Sequence, residues 1–336
     1  MPKHCPQLKI QLKDIKSLYS SYCLELEQAK NTKEYETIFD IQKNIENKVK
    51  ELQKLMPASL EEARGIMGKY FYGPEEVTST FGFEISKEEI PYMPYGKEDL
   101  TKAKELGESL ILRISHDVEG NPMTMQKINE IMTPRWPECR PVKEHVQDQD
   151  FYTKDSLQME WRLVGRYFVP DVTSGSSGRY AEYSSGKNYI EQTRILRDYL
   201  KSIDSLSLEE ESECSDDKLM SLAEKMGMDW KTGEIIDQIK YEANCKKVAL
   251  ELSKLLIIIE HNRQPVEILY DYYIEKNEEK NKEWGHFLNQ DHAWSGALDS
   301  EGEFLHVSFA INPRGLYMRG WPPNNCPADV GFISVR

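Results

Sequence analysis

Two runs of apolar residues, spaced by three and four positions, open the chain and predict two amphipathic helices. Thr32 lies between the runs at a helix-capping position, and Pro57 ends the second run. Because the join is short, the helices are expected to form an antiparallel hairpin. This hairpin either packs on the rest of the chain or, through 8–56, acts as a coiled coil that joins two copies or binds a partner. The first run is Leu8, Leu12, Ile15, Tyr19, Tyr22, Leu26 and Ala29, and the second is Ile38, Ile41, Ile45, Val49, Leu52 and Leu55.

The centre of the chain alternates between predicted helices and short strands. Ser59 and Glu62 have the spacing of a capping box, so a helix is expected to run from there to about Tyr70. The aromatic and turn-forming residues of 75–96 predict a strand and loops. Further helices are predicted over 97–109, 123–132 and 187–202, strands over 110–114 and 161–169, and a turn over 116–122.

A run of acidic side chains follows this block. Six acids fall within the nine residues 209–217, and such a run predicts a solvated and mobile linker. Apolar periodicity then predicts helices at about 217–227, 233–261 and 265–277. Because a β-rich segment comes next, these helices are interpreted as an insertion.

Apolar and polar residues alternate near the end of the chain. Leu305, Val307, Phe309 and Ile311 alternate with His306, Ser308 and Ala310, which is the period of a half-buried strand and places His306 at the surface. A turn is predicted at 312–315, and the final residues 331–336 are expected to pair within a sheet.

The segment from Trp294 onward resembles the C-terminus of C-type-lectin-fold domains. The likeness rests on Trp294-Ser295, the turn at 299–302, the strand that ends at Phe309 and the closing 331–336. More narrowly, it resembles the formylglycine-generating-enzyme-like branch and the Fibrobacter-type paralogous domains. Some of those are the variable proteins of diversity-generating retroelements, in which a rigid lectin-like frame displays hypervariable residues that bind a ligand. The resemblance therefore implies a non-enzymatic recognition protein.

Pattern and resemblance together predict an α+β fold with four parts. These are a helical hairpin (1–72), the first part of a C-type-lectin-like α+β domain (73–204), a helical insertion (205–283) and a C-terminal β-rich segment (284–336). Two further stretches, 187–193 and 263–271, resemble bacterial proteins that carry no assigned activity.

A candidate ligand-binding surface lies on the polar side of the C-terminal segment. Aromatic, arginine, asparagine and histidine side chains give a recognition surface rigid area with hydrogen-bonding tips. Trp321, beside two prolines, either faces a ligand or caps the domain core. The candidate residues are Asp299, Glu303, His306, Ser308, Tyr317, Arg319, Trp321, Asn324 and Asn325.

Composition limits the classes of partner. The 336 residues are 39% hydrophobic and 30% charged, and the net charge of −14 argues against nucleic-acid and anionic-membrane partners. The ligand is expected to be a protein, a small molecule or a carbohydrate. The six cysteines lie far apart, so reduced thiols are expected. Because neither a secretory signal nor a long apolar run is visible, the expected location is the cytoplasm or a phage particle.

An enzymatic hypothesis remains open beside the binding hypothesis. His286, Asp291, His292 and Cys326 lie in one region and could support metal-assisted chemistry, although their spacing fits no zinc motif. The loop before Lys187 lacks the pattern of a phosphate-binding loop. No cofactor, metal or catalytic residue is therefore assigned.

Overall fold

The computed structural model describes residues 43, 57–136, 144–173, 183–276, 292–309, 316–326 and 330–336. It contains about 47% helix and 18% strand, arranged as helices with two mixed sheets, and this confirms the predicted α+β class. The chain divides into two compact units, one formed by Met1–Gly68 with Tyr92–Glu105 and the other by Lys69–Pro91 with Leu106–Arg336. Apart from Lys43, which is helical, the predicted hairpin over 8–56 lies outside the described residues.

The elements are numbered in chain order over the described residues. The helices are α1 (Leu60–Met67), α2 (Pro74–Phe81), α3 (Lys97–Glu105), α4 (Met125–Arg135), α5 (Glu144–Gln147), α6 (Asp150–Lys154), α7 (Tyr189–Ser202), α8 (Leu208–Glu213), α9 (Asp216–Met226), α10 (Gln238–Leu252), α11 (Leu256–His261) and α12 (Pro265–Lys276), with a 3-10 turn at Gly68–Tyr70. The strands are β1 (Phe71–Tyr72), β2 (Glu108–Arg113), β3 (Glu160–Gly165), β4 (His292–Leu298), β5 (Phe304–Phe309), β6 (Leu316–Trp321) and β7 (Val330–Gly331).

The first unit includes α1 and α3. The predicted capping box is present, because Ser59 Oγ accepts from the Glu62 amide (3.2 Å) and the Glu62 carboxylate accepts from the Ser59 amide (2.9 Å). Glu62 also pairs with Lys97 at the start of α3 (2.6 Å), and Lys104 donates to the Ile66 carbonyl (2.6 Å). These contacts join both ends of α3 to α1.

The second unit contains both sheets. In the first sheet β2 is the central strand, parallel to β1 and antiparallel to β3, with Leu110 opposite Leu163 and Leu112 opposite Trp161. All six residues of β2 are buried, which agrees with the continuous apolar run that predicted a strand at 110–114. The strand predicted over 161–169 is shorter than expected and ends at Gly165.

The second sheet is built from the C-terminal segment, in the order β6-β5-β4-β7. Its neighbours are antiparallel except for β4 and β7, which run parallel with Ala293 opposite Gly331. The prediction that the final residues pair within a sheet is confirmed, since Ser334 and Val335 also form bridges with Asn262 and Val164. The predicted turn at 312–315 lies outside the described residues.

One apolar core connects α7, α9, α10 and α11 with the second sheet. Tyr189 lies at its centre, stacked on Phe304 (3.5 Å between ring centroids) and edge-on to Trp294 (5.4 Å) and Phe332 (5.0 Å). The helices that the sequence marks as an insertion therefore share a core with the strands that follow them. Within the described residues, none of the helices combines the length and apolar character that crossing a membrane requires.

Two local predictions are wrong. Residues 75–96 begin with helix α2 and not with a strand, because Gly73 and Pro74 start a helix there: Pro74 is its first residue, and Glu76 accepts from the Gly73 amide (2.8 Å). The acidic run is not a solvated linker. It forms α8 and the first turn of α9, and Glu210 is 6% exposed.

Candidate functional site

His306, expected at the surface, is 1% exposed, so its predicted exposure is wrong. It lies on β5, which pairs with β4 on one side and β6 on the other, opposite Trp294 and Arg319. Its ring stacks on Trp321 with 4.1 Å between centroids. Because Trp321 covers the face of β5 that carries His306, this residue is buried as well as Leu305 and Val307 on the apolar face.

Trp321 caps the core. It is half-buried, packs against the apolar core and lies edge-on to Trp294 (6.2 Å). Of the two alternatives that the sequence leaves open for Trp321, the structure shows the one in which the side chain covers the core.

The other predicted residues differ in how far their side chains are exposed. Arg319 is exposed, Asn325 is half-buried, and the half-buried Asn324 accepts from the hydroxyl of Tyr241 on α10 through Oδ1 (2.5 Å). The side chains of Ser308 and Tyr317 lie outside the described residues. Among the predicted residues whose side chains are described, only Arg319 is exposed, so these residues do not form one continuous exposed surface.

Asp299 and Glu303 belong to the turn between β4 and β5. Asp299 Oδ1 accepts from the amides of Glu301 and Glu303 (2.9 Å each), so this carboxylate holds the turn in place. Burial raises the pKa of Glu303, and the nearby Asp299 and Glu301 charges raise it further. Asp299 thus has a structural role, and it also faces a cleft.

The cleft beside this turn has a volume of about 560 Å³, a size typical of small-molecule sites. Its walls come from the α6 region, the end of α10, the segment after α11 and the second half of β4. The lining residues are Asp148, Gln149, Asp150, Phe151, Asp155, Leu250, Ser253, Gln264, Gly296, Ala297, Leu298, Asp299 and Ser300. We refer to it below as the aspartate cleft.

Backbone hydrogen bonds hold the walls of the aspartate cleft together. The Ser300 amide donates to Gln149 Oε1 (3.1 Å), which joins the β4–β5 turn to the α6 wall. The Gly296 amide donates to the Arg263 carbonyl (3.1 Å), which joins β4 to the segment that carries Gln264. A Cβ at Gly296 would lie 2.8 Å from Gln264 Nε2, so the glycine makes room for this carboxamide.

Four carboxylates give the aspartate cleft its charge. Asp150 pairs with Lys154 (2.7 Å). Among the described residues, Asp148, Asp155 and Asp299 have no lysine or arginine partner within salt-bridge distance. Burial raises the pKa of the half-buried Asp155 carboxyl, and the Asp150 charge raises it further. A carboxyl in this setting gains most from a cationic ligand, which would offset both effects.

A second cleft of about 530 Å³ lies beyond the end of β2 and includes the predicted turn at 116–122. Its Asp117 accepts from the Glu119 and Asn121 amides and pairs with Lys127 (2.7 Å). The prediction of a turn is confirmed, and Asp117 is already used to hold it.

The residues of the enzymatic hypothesis are only partly described. His286 and Asp291, and the side chain of His292, lie outside the described residues. Cys326 Sγ contacts the carbonyls of Thr232 and Asn324 (3.4 Å each), and burial raises the pKa of this thiol, which disfavours the nucleophilic thiolate. Among the described residues, no group of three or more His, Cys, Asp or Glu side chains is arranged to bind a metal ion.

Comparison with known proteins adds no relative: no family model, curated protein or solved structure matches the chain. The lectin-like resemblance therefore stays a prediction, and the candidate site rests on the geometry of the aspartate cleft alone.

The surface predicted from the sequence includes Asp299, on the β4–β5 side of this cleft. It includes none of the aspartates on the α6 side, which are Asp148, Asp150 and Asp155. The available signal was three aspartates around Phe151 within the short run 148–155, which follows an irregular proline-containing stretch. Nothing in that run indicates that it lies beside residues 296–300.

Proposed function

We propose that this chain is a non-enzymatic ligand-binding protein whose aspartate cleft binds an organic cation with an aliphatic chain, such as a polyamine or a lysine side chain. The observation that carries the proposal is Asp155. This carboxyl is half-buried in a cleft, its pKa is raised, and it has no basic partner among the described residues.

Apolar surface beside the carboxylates supports an organic cation. Phe151 and Leu298 line the cleft together with Asp155, and Leu250 is 47% exposed at its edge. An amine on an aliphatic stem would cover this apolar surface while its charge reaches a carboxylate. The net charge of −14 would also raise the rate at which cations reach the cleft.

Calorimetric titration with a matched pair of ligands tests the proposal. 1,5-Diaminopentane is expected to bind, whereas 1,5-pentanediol, which has a similar length and no charge, is not. Asp155→Asn should weaken diamine binding about tenfold, the effect of losing about 1.4 kcal/mol from one charged contact. Glu234→Gln removes an exposed acid outside the cleft and should leave the affinity unchanged.

Two results would overturn the assignment of the site. The first is equal binding of the diamine and the diol, because it would show that charge plays no part. The second is equal loss of affinity in Asp155→Asn and Glu234→Gln, because it would show only a general effect of the net charge.

The lectin-like resemblance supports a narrower version of the same function. In it, the C-terminal segment is diversified by a retroelement, and the protein acts in the cytoplasm or in a phage particle. A near-copy of the codons for 294–336, differing mostly at adenines and lying beside a reverse-transcriptase gene, would support this version. Flanking DNA without such a copy would remove it and leave the cleft proposal unaffected.

Self-association through 8–56 is a separate proposal. It is supported by the two runs of apolar residues that are spaced by three and four positions. Deletion of 1–56 should convert an oligomer into a monomer in sedimentation. If the full chain and the deletion variant are both monomeric, these apolar runs do not join copies of this chain.

A further inference from the structure

The side-chain ammonium of Lys276, the last residue of α12, lies over two aromatic rings. Its Nζ is 5.2 Å from the ring centroid of Trp136 and 5.3 Å from that of Tyr272. Both distances are within the range of about 6 Å in which the negative face of a ring attracts a cation. One cation therefore contacts two rings at once.

The two rings come from different helices. Tyr272 and Lys276 are four residues apart on α12, a spacing that places both side chains on one face of the helix. Trp136 follows the last residue of α4, and its amide closes that helix by donating to the Met132 carbonyl (2.8 Å). Tertiary packing of α4 against α12 thus adds the second ring to a pair that the helix already provides.

Tyr273 fixes the positions of both rings. It is 6% exposed and lies edge-on to Trp136 (6.1 Å between centroids) and to Tyr272 (5.5 Å). Because both rings pack against the same buried ring, neither can turn away without losing an edge-to-face contact. Trp136 and Tyr272 are half-buried, whereas Lys276 is exposed, so its ammonium can leave while the rings stay in place. We refer to Trp136, Tyr272 and Tyr273 as the aromatic cage.

An alkylated ammonium suits such a cage better than a lysine does. The primary ammonium of Lys276 is strongly hydrated, and it loses part of this hydration when it contacts a ring. A trimethylammonium group carries the same charge, has no N–H donors to keep hydrated, and brings methyl groups whose apolar surface the rings can cover. The rings therefore favour a quaternary ammonium over the lysine that contacts them in the free protein.

We propose that the aromatic cage is a binding site for a trimethylammonium group, and that Lys276 occupies this site in the free protein. The group is carried by a small molecule such as choline or by a trimethylated lysine side chain, and its binding displaces the Lys276 ammonium into solvent. The cage shares no residue with the aspartate cleft, so neither proposal depends on the other.

Calorimetric titration of the full-length protein with choline tests the site. Choline should bind, whereas 3,3-dimethylbutan-1-ol, a neutral alcohol of the same shape, should not. Tyr272→Leu removes one ring and should weaken choline binding about three- to tenfold, whereas Tyr272→Phe keeps the ring and should bind choline within about twofold of the wild type. Trp136→Leu removes the other ring and should give a similar loss, which provides a second test if Tyr272→Leu does not fold.

Three results would overturn the proposal. These are a lack of choline binding, equal binding of choline and the alcohol, and equal affinity for choline in all the ring variants. A peptide with one trimethyllysine, titrated beside the same peptide with an unmodified lysine, distinguishes the two sources of the group. Tighter binding of the methylated peptide than of choline would assign the ligand to a protein, and the reverse order would assign it to a small molecule.

Lys276→Ala tests the displacement. Without the competing ammonium, choline should bind about two- to fivefold more tightly, the factor that corresponds to one exposed contact between a cation and a ring. Lys240→Ala is the matched control, because it removes the same charge from an exposed position on α10 and should leave the affinity unchanged. An equal change in the two variants would show only an effect of net charge, and it would contradict the occupation of the cage by Lys276.

Discussion

Gly296 shapes the aspartate cleft because β4 passes closest to Gln264 at this residue. A Cβ there would meet the tip of the flexible Gln264 side chain at 2.8 Å, whereas its contact with Ile258, at 3.5 Å, is ordinary. Since a side-chain tip can move, an added methyl group should rearrange the cleft at little cost to the fold.

Gly296→Ala should therefore weaken binding of 1,5-diaminopentane about three- to tenfold, with a change of less than about 1 kcal/mol in the free energy of unfolding. Titration calorimetry and urea unfolding measure the two quantities. Gly65→Ala is the matched control, because Gly65 lies in α1 with no atom within 4 Å of the added Cβ. It should stabilise the protein by about 0.5–1 kcal/mol and leave affinity unchanged. Unchanged affinity in Gly296→Ala would mean that the ligand does not reach this wall.

Asp155 should lower the stability of the free protein while it supports binding. Its pKa is raised in the folded state, so ionisation costs free energy there. This cost is absent below the ordinary pKa of 3.8, grows as the pH rises toward the folded-state pKa, and is fully present above it. Asp155→Asn is expected to raise the free energy of unfolding at neutral pH by about 0.5 kcal/mol, a small value because solvent screens a half-buried group. Urea unfolding checks this. A variant that loses both stability and binding would indicate a structural role for Asp155.

Helix α8 shows what the sequence could have revealed about one element. Ser207 and Glu210 have the same capping-box spacing that correctly predicted α1 from Ser59 and Glu62, but the acidic composition of 209–217 suggested a linker. Composition is a weaker guide here, because several of the six acids gain a specific partner. Glu210 binds His261, Glu211 pairs with Lys201, and Asp216 pairs with Arg197.

The low pKa of Glu210 makes α8 sensitive to acid. Because the folded-state pKa is depressed to about 2 from 4.5, the stability it contributes is present above 4.5 and is lost as the pH falls from there toward 2. In this window the wild type should lose about 1–3 kcal/mol more than Glu210→Gln, measured by urea unfolding at a series of pH values. Parallel curves for the two proteins would show that the ion pair is not maintained in solution.

Strand β5 shows where sequence pattern stops being informative. Its alternation correctly predicted a strand, yet Leu305 and His306 are both buried, at 3% and 1% exposed. Alternation of apolar and polar residues distinguishes the two faces of a strand. It cannot show that Trp321, on the neighbouring strand β6, covers the face that carries His306. The predicted exposure of His306 is wrong for this reason.

At the scale of the whole molecule, the aspartate cleft depends on contacts between distant parts of the sequence. Residues 148–155 and 296–300 meet where the Ser300 amide donates to Gln149, and Gln264 lies at the cleft beside the hydrogen bond from the Gly296 amide to the Arg263 carbonyl. Helices, strands and caps follow from local pattern, so many of them could be predicted. A site assembled from four separate segments could not, because no local signal specifies which segments meet.

An amide NMR titration of the full-length protein with 1,5-diaminopentane tests the binding proposal most directly. Saturable chemical-shift changes are expected at the amides of 148–155 and 296–300, with much smaller changes at Arg319, Asn324 and Asn325. Changes centred on those three residues would place the ligand on the C-terminal face and outside the cleft. If no amide shifts saturably, the aspartate cleft does not bind organic cations.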